Sequence, residues 1–255
     1  PRTHVLCEDD SVIGQAFYVM DFVDGRVIAD PFLPSFSPEE RAALYDDFIR
    51  VLACLHAVDR HAVGLGDFGR EGNYYERQIS RWSKQYIASE TEKIPEMDRL
   101  MEWVTAHVPD VKETTLVHGD YRIGNCIIHP TEPKIAAVLD WELATTGHPL
   151  ADVGYCCMTY HGVTYMEGKE VDLKELGIPD EKEFVATYCK YSGREKIENW
   201  DFYILYNLFR SAAIVQGVYK RGVDGNSSSD RWKEMHDRCI ETAKIAWGLV
   251  EQGKV

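Results

Sequence analysis

The segment from 116 to 142, LVHGDYRIGNCIIHPTEPKIAAVLDWE, constrains the fold more than any other part of the chain. It contains or borders three short β-prone runs, at 115–117, 126–128 and 136–139. Asp120 follows the first run, Asn125 precedes the second, and Asp140 comes directly after the third. Prolines between the last two runs predict a hairpin turn. The segment therefore predicts a small β unit that presents three oxygen-bearing side chains at strand ends or in tight loops, where scaffolds commonly present chemistry.

Most of the remaining chain is predicted to be helical. Residues 16–25, AFYVMDFVDG, begin as an apolar strand and close on an Asp-Gly turn. Ser37 then predicts the N-cap of a helix that runs to about His56, because a proline follows it directly and Glu40 stands three residues after it. Further helices are predicted at 73–89, 95–107, 181–192, about 196–221 and about 230–251.

The composition excludes several classes of protein. The 255 residues include 42 Asp and Glu against 28 Lys and Arg, which gives a formal charge of −14. This balance argues against a nucleic-acid-binding protein, because neutralising phosphates requires a basic face. No apolar run approaches the length of a membrane span. The cysteines are seven, an odd number without a CxxC pair, and indicate an intracellular protein of a reducing compartment, with the organelle left open.

The spacing of Asp120, Asn125 and Asp140 matches a chemical requirement. Phosphoryl transfer from ATP to an alcohol needs a carboxylate near the attacking hydroxyl and oxygen ligands for Mg²⁺. Protein kinases place the base and one ligand on H-R-D-x-x-x-x-N, and a second metal-binding Asp after the following hairpin. The interval from Asp120 to Asn125 is the same, and Asp140 stands where the second Asp would. Singly, each could be a turn residue, but their joint spacing favours a kinase-type metal site.

Four ordered blocks carry a family resemblance: FYVMDFVDGRV, HGDYRIGNCIIHP, AVLDWELATTGHPLADVGY and AAIVQGVYKR. Together they resemble the aminoglycoside phosphotransferase and choline kinase superfamily, and more narrowly the phosphotransferase domain fused to some acyl-CoA dehydrogenase family members. The resemblance covers about residues 16–221. It implies an α+β, protein-kinase-like fold: mainly the helical large lobe, with a short catalytic-loop hairpin and only the last strand or strands of the small lobe. Residues 1–25 are then expected to be a remnant of the small lobe and hinge, and residues 26–255 the helical large lobe.

The resemblance also implies roles for particular residues. Asp120 is expected to be the catalytic base, or to orient the acceptor hydroxyl. Asn125 and Asp140 are expected to bind Mg²⁺. His118 is expected to support the catalytic loop, and Asp152 to brace it from the next helix through backbone hydrogen bonds.

The nucleotide site implied by the resemblance involves the hinge. The backbone of Asp21, Phe22 and Val23 is expected to meet the adenine of ATP. A complete enzyme of this kind carries a lysine on the third strand of its small lobe, ahead of the hinge, but the first lysine of this chain is Lys84. The sequence is therefore expected to be a fragment that lacks most of the small lobe.

The implied function is that of a Mg²⁺-ATP-dependent kinase acting on a small-molecule hydroxyl. The acidic composition suits a cationic acceptor such as an aminoglycoside or choline. The dehydrogenase-fused relatives point instead to a hydroxy acid or hydroxyacyl-CoA, and to a fused acyl-CoA dehydrogenase domain outside this chain. Candidate acceptor contacts are Arg122, Glu142, Lys220 and Arg221. The last two have a second interpretation, since basic residues commonly complement the negative C-terminal end of a helix. The alternative class is a non-catalytic, pseudokinase-like binding module.

Two further motifs are predicted to be structural. Gly64–Gly69, GLGDFG, fits G-x-G-x-x-G but follows a helix rather than a strand, so it is predicted to be a loop. Cys156 and Cys157 are accompanied by neither CxxC nor HExxH spacing, so they are predicted to lie in the buried core.

Overall fold

The computed structural model describes residues 1–70, 72–110, 112–162, 172–227 and 230–253. In these ranges the helices are α1 Pro38–His56, α2 Tyr74–Ser89, α3 Pro95–Ala106, α4 Leu150–Cys157, α5 Glu181–Ser192, α6 Trp200–Val223 and α7 Met235–Glu251. The strands are β1 Thr3–Cys7, β2 Phe17–Met20, β3 Thr115–Val117, β4 Cys126–Ile128, β5 Ile135–Val138 and β6 Thr145–Gly147. The chain is thus mainly helical with short strands.

Local sequence signals set the starts of two helices. Ser37 caps α1 through the predicted capping box, in which its hydroxyl accepts from the Glu40 N–H and the Glu40 carboxylate accepts from the Ser37 N–H at 2.8 Å. Asp180 and Glu183 form the same arrangement at the start of α5. Each box pairs backbone N–H groups that the first helical turn leaves without partners.

Helix α6 lies at the centre of the core. It packs against α2, α3, α4 and α7, and all residues from 202 to 210 are buried. It begins at Trp200 rather than near 196 because Asn199 has a left-handed φ of 53°, which a right-handed helix cannot continue. No helix in the described ranges combines the length and apolar character that a membrane span requires.

The strands form three antiparallel pairs: β1 with β2, β3 with β6, and β4 with β5. The β4–β5 pair is the predicted hairpin, with Cys126 opposite Val138. The β3–β6 pair was not predicted, because three-residue strands carry too little periodicity to be recognised. It places Val117 opposite Thr145, so that the chain leaves β3 beside the segment that enters β6. This pairing brings the His-Gly-Asp segment next to the residues that follow Asp140.

The β1–β2 hairpin lies outside the core. All of its strand residues are exposed or half-buried, with Leu6 exposed at 65% and Tyr18 at 62%. The chain then runs through residues 21–23 and reaches the large unit at Arg26, which exchanges backbone hydrogen bonds with Ile128 at 2.8 Å. The segment predicted to be the hinge is therefore attached to the β4–β5 hairpin.

Candidate active site

The loop after β3 is held in place by one buried carboxylate. Asp152, in the first turn of α4, accepts hydrogen bonds from the backbone N–H groups of His118 at 2.7 Å and Gly119 at 2.8 Å. His56 lies 3.3 Å from the same carboxylate. Burial alone raises the pKa of Asp152, but these hydrogen bonds and His56 outweigh burial, so that its pKa lies below its ordinary value. Asp152 therefore remains charged and fixes the loop backbone at neutral pH.

His118 connects this loop to the end of β5. Its Nε2 lies 2.8 Å from the carbonyl oxygen of Leu139, which can only accept, so Nε2 carries the proton. Its Nδ1 then accepts from the backbone N–H of Asp120 at 3.2 Å. His118 is fully buried and contacts neither cavity described below. It thus fixes the distance between the Asp120 loop and the segment that carries Asp140.

Gly119 has a conformational reason to be glycine. Its φ is +83°, and a Cβ atom there would come within 2.7 Å of the Leu143 carbonyl oxygen. Its own carbonyl oxygen accepts from Nη2 of Arg210 at 2.6 Å. The glycine therefore allows the loop to pass tightly between the β6 segment and α6.

Three side chains hold the Asp120 carboxylate. Tyr155 of α4 donates its hydroxyl to Oδ1, while Asn125 Nδ2 donates to Oδ2 at 2.8 Å and Arg122 Nε to the same oxygen at 3.4 Å. Burial first, and then the charge of Asp120, raise the pKa of Tyr155 above its ordinary value, so this hydroxyl stays a neutral donor. The carboxylate is consequently fixed in orientation before any acceptor is bound.

Asn125 and Asp140 offer oxygen atoms that no described residue uses. Nδ2 of Asn125 donates to the backbone oxygen of Asp120 at 2.9 Å as well as to its carboxylate, while no hydrogen bond reaches its Oδ1 from the described ranges. Asp140 is exposed, and among the described residues it has neither a hydrogen bond nor an ion pair. The backbone N–H of Leu139 donates to the Asn125 carbonyl oxygen at 2.8 Å. This bond places Asn125 beside Leu139, the residue that directly precedes Asp140. An amide oxygen and a carboxylate fit a hard cation such as Mg²⁺.

Asp140 also has an unusual backbone. Its φ of 64° and ψ of 57° lie in the left-handed region, which non-glycine residues seldom adopt, although Asp tolerates it better than most. The turn separates β5 from the short 3-10 helix Trp141–Leu143. Strained residues of this kind concentrate at functional sites.

The hinge residues lie between β2 and the contact with the β4–β5 hairpin. Asp21 pairs with His4 at 2.6 Å, Phe22 is 90% exposed and Val23 is half-buried. The backbone N–H of Asp21 donates to the carbonyl oxygen of Arg2 at 2.9 Å. The predicted contact of these residues with adenine stays a prediction.

Lys220 and Arg221 do not lie at the catalytic loop. They occupy the last turn of α6, where Lys220 pairs with Asp224 one turn further on. Arg210 touches Gly119, and ten residues of helix separate it from Lys220, roughly 15 Å at 1.5 Å per residue. Arg210 of the same helix, rather than the predicted pair, supplies a positive charge at the loop.

Two cavities flank Asp120. The smaller one, of about 160 Å³, has mainly apolar walls; its lining includes Tyr45, Phe48, Tyr121, Met158 and Phe184, together with Tyr155 and Arg122. The larger one, of about 670 Å³, lies on the Gly119 side; its charged lining consists of Arg70, Arg77, Arg81, Arg210 and Glu142. Of the predicted acceptor contacts, Arg122 therefore lines the first cavity and Glu142 the second.

Sequence reasoning missed Tyr155 and Arg210. Tyr155 stands three residues after Asp152, one helical turn further along α4, which places it over the same loop. Arg210 was detectable as a charged residue inside the apolar run of α6, and such residues are seldom buried without a specific role. Cys157 is fully buried, as predicted, whereas Cys156 is half-buried. Residues 64–69 form turns without a preceding strand.

The mainly helical fold with its short strand pairs is protein-kinase-like. The chain belongs to the phosphotransferase enzyme family, whose family model matches residues 1–201. A crystal structure from Ralstonia eutropha, of a protein described as a "putative aminoglycoside phosphotransferase", is 48% identical to it with a TM-score of 0.92, and the match covers 98% of this chain and 77% of that one.

Similar curated proteins carry dehydrogenase names. Acyl-CoA dehydrogenase family member 10 of Mus musculus is 44% identical over 251 residues, which are 97% of this chain and 24% of the mouse protein. Acyl-CoA dehydrogenase family member 11 of Homo sapiens is 40% identical over 90% of this chain and 30% of the human protein. The chain thus spans about a quarter to a third of the length of these relatives.

Proposed function

We propose that this chain carries out Mg²⁺-ATP-dependent phosphoryl transfer to the hydroxyl group of a hydroxy acid or a hydroxyacyl-CoA. The observation that carries the proposal is the arrangement at the catalytic loop. Asp120 is held by Tyr155 and Asn125, while the remaining oxygen of Asn125 and the carboxylate of Asp140 have no partner among the described residues. A base and two cation ligands are the parts that phosphoryl transfer needs.

Asp120 is the residue proposed to act on the acceptor. Its carboxylate accepts a hydrogen bond from the acceptor hydroxyl and takes up the proton as that oxygen bonds to the terminal phosphorus of ATP. The bond from this phosphorus to the bridging oxygen breaks in the same transfer, and ADP leaves with the electron pair. Tyr155 and Asn125 restrict the carboxylate to one orientation, which limits the approach of the hydroxyl to one direction.

Asn125 and Asp140 are the residues proposed to hold Mg²⁺. When bound, the ion neutralises the charge of the nucleotide phosphates. Asn125 suits this role because its Nδ2 is committed to Asp120, so that its Oδ1 is the atom left for a cation. The backbone of Asp21, Phe22 and Val23 is proposed to bind the adenine.

The two cavities support an acceptor that is partly apolar and partly anionic. The apolar cavity shares Tyr155 and Arg122 with the surroundings of Asp120, and can accommodate a hydrocarbon segment next to the reacting hydroxyl. The names of the similar mouse and human proteins agree with an acyl compound. We further propose that a fused acyl-CoA dehydrogenase domain acts on the phosphorylated product.

The direct test is transfer of radiolabel from γ-labelled ATP. We expect label to appear on a hydroxyacyl-CoA or on the free hydroxy acid when Mg²⁺ is present, and not on the matched acyl-CoA without a hydroxyl. Choline and an aminoglycoside serve as competing acceptors in the same assay. Faster labelling of either cation, or no transfer to any acceptor, would contradict the proposal.

A further inference from the structure

The larger cavity beside the catalytic loop carries an excess of positive charge. Four arginines line it, Arg70, Arg77, Arg81 and Arg210, against the single carboxylate of Glu142. The whole chain has the opposite balance, with a formal charge of −14. A local surplus of this sign focuses anions into the cavity even though the rest of the protein repels them.

Arg210 is a buried charge without a carboxylate partner. It is only 7% exposed, and no Asp or Glu in the described ranges lies within ion-pair distance of it. Its guanidinium contacts the rings of Trp82 and Tyr155, and among the described residues its one hydrogen bond goes to the neutral carbonyl of Gly119. Burying a cation without a counter-ion is costly, because water is lost and no opposite charge replaces it. An anionic ligand in the cavity would supply that counter-ion.

Two other arginines of the cavity are also without ion pairs. Arg70 and Arg81 are exposed, and among the described residues neither lies within 4 Å of a carboxylate. Arg81 lies against the ring of Trp82, which also contacts Arg210. By contrast, the half-buried Arg99 of α3 pairs with Glu96 at 3.2 Å and lies over the ring of Trp247. Arg70 and Arg81 therefore have guanidinium groups that are available to a ligand.

We propose that this cavity binds a phosphate or pyrophosphate group carried by the acceptor. The inference rests on the proposed function and specifies its substrate class as phosphate-bearing alcohols. A carboxylate is matched by one bidentate arginine, whereas several arginines around one cavity suit a group with more than one negative charge. The same charges repel aminoglycosides and choline, because placing like charges together is unfavourable.

Gly119 connects the cavity to the reaction. It lines the cavity wall, binds Arg210 through its carbonyl and directly precedes Asp120 in the chain. An anionic group anchored by the arginines would therefore hold the remainder of the acceptor beside the catalytic loop. Binding energy gained at a remote charged group can be used to position the hydroxyl.

The test is calorimetric titration of the 255-residue chain with inorganic pyrophosphate and with coenzyme A, in the absence of Mg²⁺. Arg81→Gln should weaken binding of both probes about tenfold, the loss expected for one charge-assisted hydrogen bond. Arg99→Gln is the matched control, since it removes a helical arginine outside the cavity, and it should bind both probes like the wild type. Equal weakening in the two variants would overturn the proposal.

A second variant and further ligands test whether the cavity recognises a phosphate group. Arg210→Lys keeps the charge but removes the planar fork, and should weaken pyrophosphate binding while the thermal melt stays cooperative. A free hydroxy acid should bind more weakly than pyrophosphate, and tighter binding of the hydroxy acid would contradict the phosphate assignment. If coenzyme A binds more tightly than pyrophosphate, the acceptor is a CoA thioester. If the two probes bind equally, the acceptor is a simpler phosphorylated alcohol.

Failure of the proposed phosphoryl transfer and failure of the proposed phosphate-binding cavity give different results. If the proposed function fails, the wild type binds pyrophosphate at the arginines but shows neither transfer from ATP nor Mg²⁺-dependent ATP binding. If only the cavity assignment fails, the wild type transfers phosphate while Arg81→Gln and Arg99→Gln bind the probes equally. Displacement of pyrophosphate by metal-free ATP would identify the cavity as part of the nucleotide site and would also overturn the assignment.

Discussion

The two halves of the site are held in opposite ways. The half that carries Asp120 rests on buried groups, with His118 fully buried and Asp152 exposed at 1%, and its polar atoms are largely paired. The half that carries Asp140 is exposed, and the carboxylate of Asp140 has no partner among the described residues. The fold itself therefore orients Asp120, the proposed base, whereas the carboxylate of Asp140, the proposed metal ligand, is left free to bind a ligand.

Removal of the buried Asp152 carboxylate should have the largest effect on stability. Asp152→Ala leaves the N–H groups of His118 and Gly119 without acceptors in a buried place, so we expect a loss of about 3–5 kcal/mol in the free energy of unfolding. Chemical denaturation followed by circular dichroism measures this value. Asp140→Asn is the matched control on the exposed half, and it should change stability by no more than about 0.5 kcal/mol. Equal losses in both variants would remove the difference between the two halves.

The buried His148, which lies between β6 and α4, should make stability depend on pH. Burial lowers the pKa of His148 to about 4, while the unfolded chain binds the proton near pH 6.5. The unfolded state therefore holds more protons between these values, so this contribution to stability is present above pH 6.5 and is lost as the pH falls towards 4. The expected loss is about 3 kcal/mol.

Denaturation curves from pH 7 to pH 4.5 measure this loss. His148→Phe removes the titrating group, and its stability should fall less steeply over the same range than that of the wild type. The same slope in both proteins would show that His148 does not cause the dependence.

Changing the base should alter catalysis without altering the fold. Asp120→Asn keeps the shape of the side chain but removes the proton acceptor, so we expect turnover to fall by at least ~10²-fold while Mg²⁺-ATP binding stays nearly intact. Initial rates of transfer and calorimetric ATP binding, measured on the same preparation, test both parts. Unchanged turnover would remove Asp120 from its proposed role.

The sequence predicted the parts of the site that depend on local signals. The starts of α1 and α5 follow from short capping motifs, and the β4–β5 hairpin follows from two apolar runs around a proline turn. The spacing of Asp120, Asn125 and Asp140 was recognisable because one loop and one hairpin carry all three residues.

The parts that were missed depend on distant regions of the chain. Strand β6 contains three residues and exists through its pairing with β3. Arg81 and Arg210 lie on different helices, and only the packing of α2 against α6 brings them to one cavity. Tyr155 was visible in the sequence, but its bond to Asp120 depends on how α4 lies under the loop. Single-sequence periodicity does not report such contacts.

Asp140 and Asn125 are proposed to form a metal site at a catalytic loop that is already in place before ligands bind. The most direct test is calorimetric titration of ATP into the wild type and into Asp140→Gly, with and without Mg²⁺. Glycine removes the carboxylate and still tolerates the positive φ at this position, so backbone strain is not added. We predict ATP binding that Mg²⁺ strengthens in the wild type and does not strengthen in the variant. The same response to Mg²⁺ in both proteins would contradict the claim.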